Sequence, residues 1–178
     1  TLTQKQKIVV LVRLLELLKA DNSFTEQRMA IVDTVGEAFN FDKDEFKSIQ
    51  QFVIQPVEEL ESINEILLIN DKHFEEGHEH ACKHVHSGLQ GSIIILKVLS
   101  EELYFLRYTG GSDIYLNGLP VNYKRVYLFA SGSTVKVPTG KPVYYSDVVT
   151  HFMADSDIPK ISFEANNLEF KFPNGRIG

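Results

Sequence analysis

The chain has 178 residues, of which 43% are hydrophobic and 24% charged, a composition that suits one globular core or two small ones. Its formal net charge of -6 argues against a binder of nucleic acid or anionic membrane, because no basic face large enough to neutralise several phosphates is visible. The single cysteine, Cys82, excludes an intrachain disulfide framework and fits a reducing compartment. The longest apolar run, residues 8–12, stops at Arg13, far short of the roughly 20 residues that a membrane span needs. No signal peptide is apparent, and Thr1 in place of Met reads as a trimmed start.

From residue 6 to 18 the apolar positions Ile8, Leu11, Leu15 and Leu18 keep the spacing of one helix face, widened by Val12 and Leu14. The polar run 20–23 ends this helix. Thr25 then caps a second one, with Phe24 stapled on Met29, and Met29, Val32, Val35 and Phe39 form its apolar face. Asn40-Phe41 breaks the second helix. Asp42 with Glu45 reads as a capping box and Phe41 with Phe46 as a staple, opening a third helix whose face is Phe46, Ile49 and Val53 and which closes at Gln55-Pro56.

The stretch Ala20-Asp21-Asn22-Ser23-Phe24-Thr25-Glu26-Gln27-Arg28 behind a leucine-rich helix resembles the turn of the TerB-like (tellurite-resistance) family of small helical domains. Arg28 stands where that family carries an acid, which removes one side chain from any cation site the family's turn implies. Read on its own, Asp21 holds the interhelical turn by local hydrogen bonds. Three helices of this length make a small core, so they are expected to lean on the β-part that follows.

Residues 58–64 are polar and read as a short helix or linker; residues 66–69 then read as a first strand. Residues 91–99 and 103–108 are expected to be central strands, and the apolar succession from Ile93 to Leu96 implies burial on both faces. Asn117-Gly118 tolerates the positive φ of a two-residue type I′ hairpin, pairing residues 113–116 with 119–121. Residues 126–130, 133–137 and 142–145 supply further strands, about eight in all, for a sandwich or partial barrel. The fold class is therefore α+β, a three-helix bundle over residues 1–57 followed by an all-β part over 58–157.

Five of the six histidines lie between Asp71 and Ser87, with Cys82 and three glutamates among them. His78, His80, Cys82 and His84 are the candidate metal ligands, because imidazole and thiolate suit zinc and an alternating pattern on a strand puts them on one face. The spacing matches no common zinc pattern, and a solvated polar connector, or ordinary surface histidines, is the plainer reading of these residues.

A phosphate loop is absent: the only Gly-Lys pair, Gly140-Lys141, is followed by Pro142, and Val135 stands where the first glycine belongs. The sequence also lacks a G-x-S-x-G elbow and an H-E-x-x-H helix, and Cys82 has no evident orienting partner for nucleophilic catalysis. Catalysis is not expected from these residues.

Residues 113–118 and 128–135 resemble the C-terminal half of the forkhead-associated (FHA) β-sandwich, with Ser133 in place of an acid. That resemblance implies a phosphopeptide-binding surface, for which Arg107 and Arg125 are the available cations and Asn117 marks the turn. The family's G-R and S-x-x-H motifs have no clear counterpart upstream. An Asn-Gly hairpin in an unrelated β-domain reads equally from these residues.

The segment 158–175, IPKISFEANNLEFKFPNG, resembles the opening strands of an ATP-binding cassette domain, I-x-F-x-x-L-x-F-x-Y/F-P-N-G. The resemblance implies that Phe172 stacks on adenine in a full-length ATPase whose phosphate loop follows Gly178. ATP and Mg would then be cofactors of that full-length protein and not of this fragment. The order of TerB-like helices, FHA-like β-part and cassette start (158–178) resembles the accessory architecture of bacterial ABC-type ATPases. It implies a cytoplasmic, non-catalytic accessory region, brought to the membrane periphery by a transporter complex, whose partners are the permease or regulatory subunits, with no nucleic acid and no direct membrane span. The alternatives are a free-standing adaptor for phosphorylated or acidic peptides and a metal-binding module. A hairpin with Phe163, Leu168, Phe170 and Phe172 in its core is the plain reading of the last segment.

Overall fold

The structure, a computed structural model, describes residues 2–21, 25–73 and 81–154. Helix α1, Gln4–Ala20, is opened by a closed capping box in which Thr3 and Gln6 satisfy each other's backbone amides, and it buries Ile8, Leu11, Val12, Leu15 and Leu18. Thr25 caps α2, Glu26–Ala38; Phe24, the other half of the expected staple, lies outside the described residues. Asp42 caps α3, Lys43–Ile54, by accepting from the amides of Asp44 and Glu45, and Phe41 stacks on Phe46 at 6.4 Å. The expected capping box at Asp42 does not close. Glu45 turns outward instead and accepts from the Ser100 amide at 2.9 Å and the Ser100 hydroxyl at 2.7 Å, tying α3 to the β-part.

After a 3₁₀ turn, Val57–Leu60, the chain builds two open sheets. The first contains β1 (Ile66–Asn70), β2 (Lys83–His86), β3 (Ser92–Val98), β4 (Leu103–Thr109) and β7 (Val126–Leu128), in the order β2-β1-β3-β4-β7. All its pairings are antiparallel except β1 with β2. The second contains β5 (Tyr115–Leu116), β6 (Leu119–Pro120), β8 (Thr134–Lys136) and β9 (Val143–Tyr144), in the order β6-β5-β8-β9. Helix α4, Tyr145–Met153, follows β9 directly. Among the described residues the architecture is α+β with four α-helices and two mostly antiparallel sheets, and neither sheet closes into a barrel.

The five-stranded sheet lies between two cores. On β3, Ile94, Leu96 and Val98 join the helices in the first core, while Ile93 and Ile95 join the second sheet and α4. This is the burial on both faces that the apolar run implies. On β4, Phe105 faces the helices and Tyr104, Leu106 and Tyr108 face the second sheet. The first core therefore runs without interruption from α1 and α3 into β1, β3, β4 and β7.

At the β7 edge, α1 supplies the missing strand partner: Arg13 donates to the Val126 carbonyl and Glu16 accepts from the Val126 amide. The pair satisfies backbone groups that would otherwise offer themselves to another chain.

Two elements depart from the sequence reading. Residues 83–86, read as polar connector, form the parallel edge strand β2, because β1 supplies a pairing partner that local composition cannot reveal. Helix α4 was not expected, although Tyr145, Val148, Val149 and Phe152 keep helical spacing and all four belong to or pack against the second core.

Candidate functional site

The most legible turn signal of the sequence is the Asn117-Gly118 hairpin. Asn117 takes φ 52° and Gly118 φ 83°, the left-handed pair of a type I′ turn, and Leu116 faces Leu119 across it. The Asn117 side chain looks inward to the sheet: its Oδ1 accepts from the Thr134 amide at 2.9 Å and its Nδ2 donates to Ser133 Oγ at 3.3 Å. Asn117 thus fastens the hairpin to β8.

Beyond β6 the chain makes a tight, internally bonded tip. Val121 donates to the Ile114 carbonyl at 2.9 Å and Arg125 to the Asn122 carbonyl at 3.0 Å. Asn122 Oδ1 accepts from the Lys124 amide at 2.8 Å, and the Tyr127 hydroxyl accepts from the Asn122 amide at 2.8 Å. These bonds hold Tyr123 63% exposed, with the Lys124 ammonium 5.6 Å from its ring centre and Arg125 in solvent. Leu119, next to the hairpin, is 71% exposed. An exposed aromatic followed by two cations suits an acidic or phosphorylated peptide. Lys124 is a member of this surface that the sequence reading overlooked, and its adjacency to Tyr123 was the available signal.

Arg107, the other expected peptide-binding cation, is not at this surface. It is 4% exposed, on the helix-facing side of β4, where its Nη2 donates to the Gln55 carbonyl at 2.6 Å and its guanidinium lies 5.5 Å from the Phe52 ring centre. Its Nε and the Gln55 Oε1 are both buried with no hydrogen-bond partner. Burial pulls its pKa down to about 10, so it remains a cation at neutral pH. Its position makes it a clasp between α3 and the sheet.

Lys19 completes that clasp, donating from its ammonium to the Val53 carbonyl of α3 at 2.7 Å. Loss of surrounding water, then the Arg107 charge, lower its pKa from 10.5 to about 8, against a smaller raising effect of Glu16. Between those two values the unfolded chain holds a proton that the folded chain has released, so this group's contribution to stability rises with pH through that window. Cys82 acts oppositely over part of the same range: burial, then the Glu61 charge, push its pKa up to about 11. The quantity to read is therefore the difference between wild type and Lys19→Met. In urea unfolding, wild type is expected to gain about 0.5–1 kcal/mol relative to the variant on going from about pH 8 to about pH 9, a figure reduced for the lysine's partial exposure. Parallel pH profiles for the two proteins would refute the assignment.

Of the candidate metal ligands, His78 and His80 lie outside the described residues. Cys82 is 7% exposed and belongs to the first core, and His84 Nε2 lies 2.9 Å from Asn70 Oδ1. Asn70, buried at 1% exposure, donates in turn to Ser92 Oγ at 3.0 Å. Among the described residues no group of three or more His, Cys, Asp and Glu is arranged to hold a metal ion. Between α1 and α2, Asp21 pairs with Arg28 at 3.7 Å. Phe172 and the whole cassette-like segment 158–178 lie outside the described residues. No helix among the described residues is long and apolar enough to cross a membrane.

No protein-family profile, no curated protein and no solved structure matches this chain.

Proposed function

We propose that this chain is a non-catalytic, regulatory protein-interaction region of a bacterial ABC transporter ATP-binding subunit. In this reading residues 1–57 are TerB-like, residues 58–157 are FHA-like and residues 158–178 begin the cassette. The observation that carries the proposal is the sequence of residues 158–175, where Phe163, Leu168, Phe170, Phe172 and the Pro173-Asn174-Gly175 end follow the cassette pattern. A helix-plus-β body with an outward-facing aromatic and basic tip precedes it, and such a body suits protein contact. Its partners are then the permease or regulatory subunits of the transporter. ATP and Mg belong to the full-length ATPase, with Phe172 on the adenine; nothing within these 178 residues has the sequence of a phosphate-cradling loop.

Reading the native gene past Gly178 tests the proposal. A G-x-x-x-x-G-K-S/T loop is expected within the next few dozen codons, and its absence would overturn the cassette assignment.

One observation favours a second reading, a free-standing adaptor for phosphorylated or acidic peptides. It is the exposed Tyr123-Lys124-Arg125 tip beside the Asn117 hairpin. A phosphothreonine peptide library is expected to yield ligands whose affinity falls about tenfold or more in an Arg125→Ala variant that melts like wild type, a loss in keeping with one charge-assisted contact. Binding that survives this change and Lys124→Ala together would exclude the tip.

A further inference from the structure

A cavity of about 450 Å³ opens where the end of β2, the connection from β8 to β9 and helix α4 converge. Its floor is Ile69, Val85, Val137, Val143 and Val148; Ile69 and Val148 are buried members of the second core, and the three other valines pack against it. The cavity is thus an opening into the second core, where apolar surface stays in contact with water at a cost that a ligand would remove.

The rim has a different chemistry. His86, Lys141, Asp147 and His151 line it and are exposed. The side chains of Lys141, Asp147 and His151 make no hydrogen bond or ion pair with any described residue. His86 is held in place by stacking on His73 at 4.2 Å and by the Lys72 carbonyl 3.4 Å from its Nδ1. An apolar floor ringed by a few uncommitted polar groups is the ordinary construction of a small-molecule site, and the volume falls in the usual range.

We infer that this cavity binds a small organic monocarboxylate with an apolar body. The valine and isoleucine floor takes the hydrocarbon or ring. Lys141, the one permanent cation of the lining, takes the carboxylate, with the imidazole of His151 as a further donor. Asp147 on the same rim sets the charge limit, because a dianionic phosphate would face its carboxylate while a single negative charge is balanced by Lys141. The site uses none of the residues of the Tyr123-Lys124-Arg125 tip and stands independently of the transporter reading.

Gly88 provides a way to close the cavity without disturbing the fold. It lies in the lining, and a Cβ added there meets no atom within 4 Å. In calorimetric titration of the whole chain, octanoate is expected to bind saturably at one equivalent and 1-octanol at least about tenfold more weakly. Lys141→Glu and Gly88→Leu, both melting like wild type, are each expected to weaken octanoate by about tenfold or more. Amide NMR shifts on octanoate addition are expected at Gly88, Gly140 and Val148. Absence of saturable octanoate binding into the millimolar range, equal affinity for octanol, or unchanged affinity in both variants would each overturn the inference.

Discussion

Phe52→Ala is expected to lower global stability by about 3–5 kcal/mol, the usual range for removing a fully buried phenyl ring, and to lower it equally for the helices and the sheets. Phe52 is 0% exposed in α3 and belongs to the core that α1 and α3 share with β1, β3, β4 and β7. The chain contains its own reporter for the second half of the claim. All seven tyrosines fall between residues 104 and 145, and there is no tryptophan, so the near-ultraviolet tyrosine signal reports on the β-part while the 222 nm ellipticity is dominated by the helices. Both signals are expected to shift together, by about 6–20 °C for a chain of this size. A 222 nm transition that moves while the tyrosine transition stays at its wild-type midpoint would show that the helices melt as a separate body.

That coupling was only half visible in the sequence. The amphipathic face of α1, the Thr25 and Asp42 caps and the Phe41–Phe46 staple are local devices, fixed by residues within five positions of one another, and each occurs as the spacing implies. The Asn117-Gly118 turn is local in the same sense. The double burial of Ile93 to Leu96 could be read because four consecutive apolar residues leave no solvent face. What covers each face could not be read, since that is set by segments about 20 to 80 residues away in the chain.

The departures have the same origin. Glu45 was positioned to close its own capping box, but the Ser100 amide and hydroxyl, 55 residues on, offer two donors where the box offers one. Lys83-His84-Val85-His86 has little strand propensity of its own and pairs because β1 lies alongside. Arg107 looked like an available cation because its type implies exposure, whereas its register with Phe105 on β4 places it on the helix side. The Asn117 turn and the exposure of Arg125 were legible because both are turn residues, and the cavity was illegible because its lining comes from three stretches spread between residues 69 and 151.

Arg107 allows the sharpest separation of a structural role from a binding role. Arg107→Ala is expected to cost about 2–3 kcal/mol, from the void left by the stem on Phe52 and from the Gln55 carbonyl left without its donor. Arg107→Met is expected to cost no more than about 1 kcal/mol. Methionine also leaves the Gln55 carbonyl without its donor, but it refills the volume along the stem, and loss of the buried charge offsets that cost by removing both a desolvation penalty and the repulsion of Lys19. The repulsion supplies an independent readout. Arg107 is the second cause that lowers the Lys19 pKa, so in Arg107→Met that pKa is expected to rise above about 8, and the pH window in which rising pH relieves the cost of the charged Lys19 starts higher. Direct titration of the Lys19 ammonium by NMR in both proteins would measure the shift. An unchanged Lys19 pKa would mean that the two charges do not act on each other across the clasp. Equal destabilisation by alanine and methionine would place the cost in the donor lost to the Gln55 carbonyl and not in the void along the stem. Because the alanine change weakens the whole fold, any loss of peptide binding in that variant would report on stability, and only Arg107→Met can ask whether this side chain has a part in recognition.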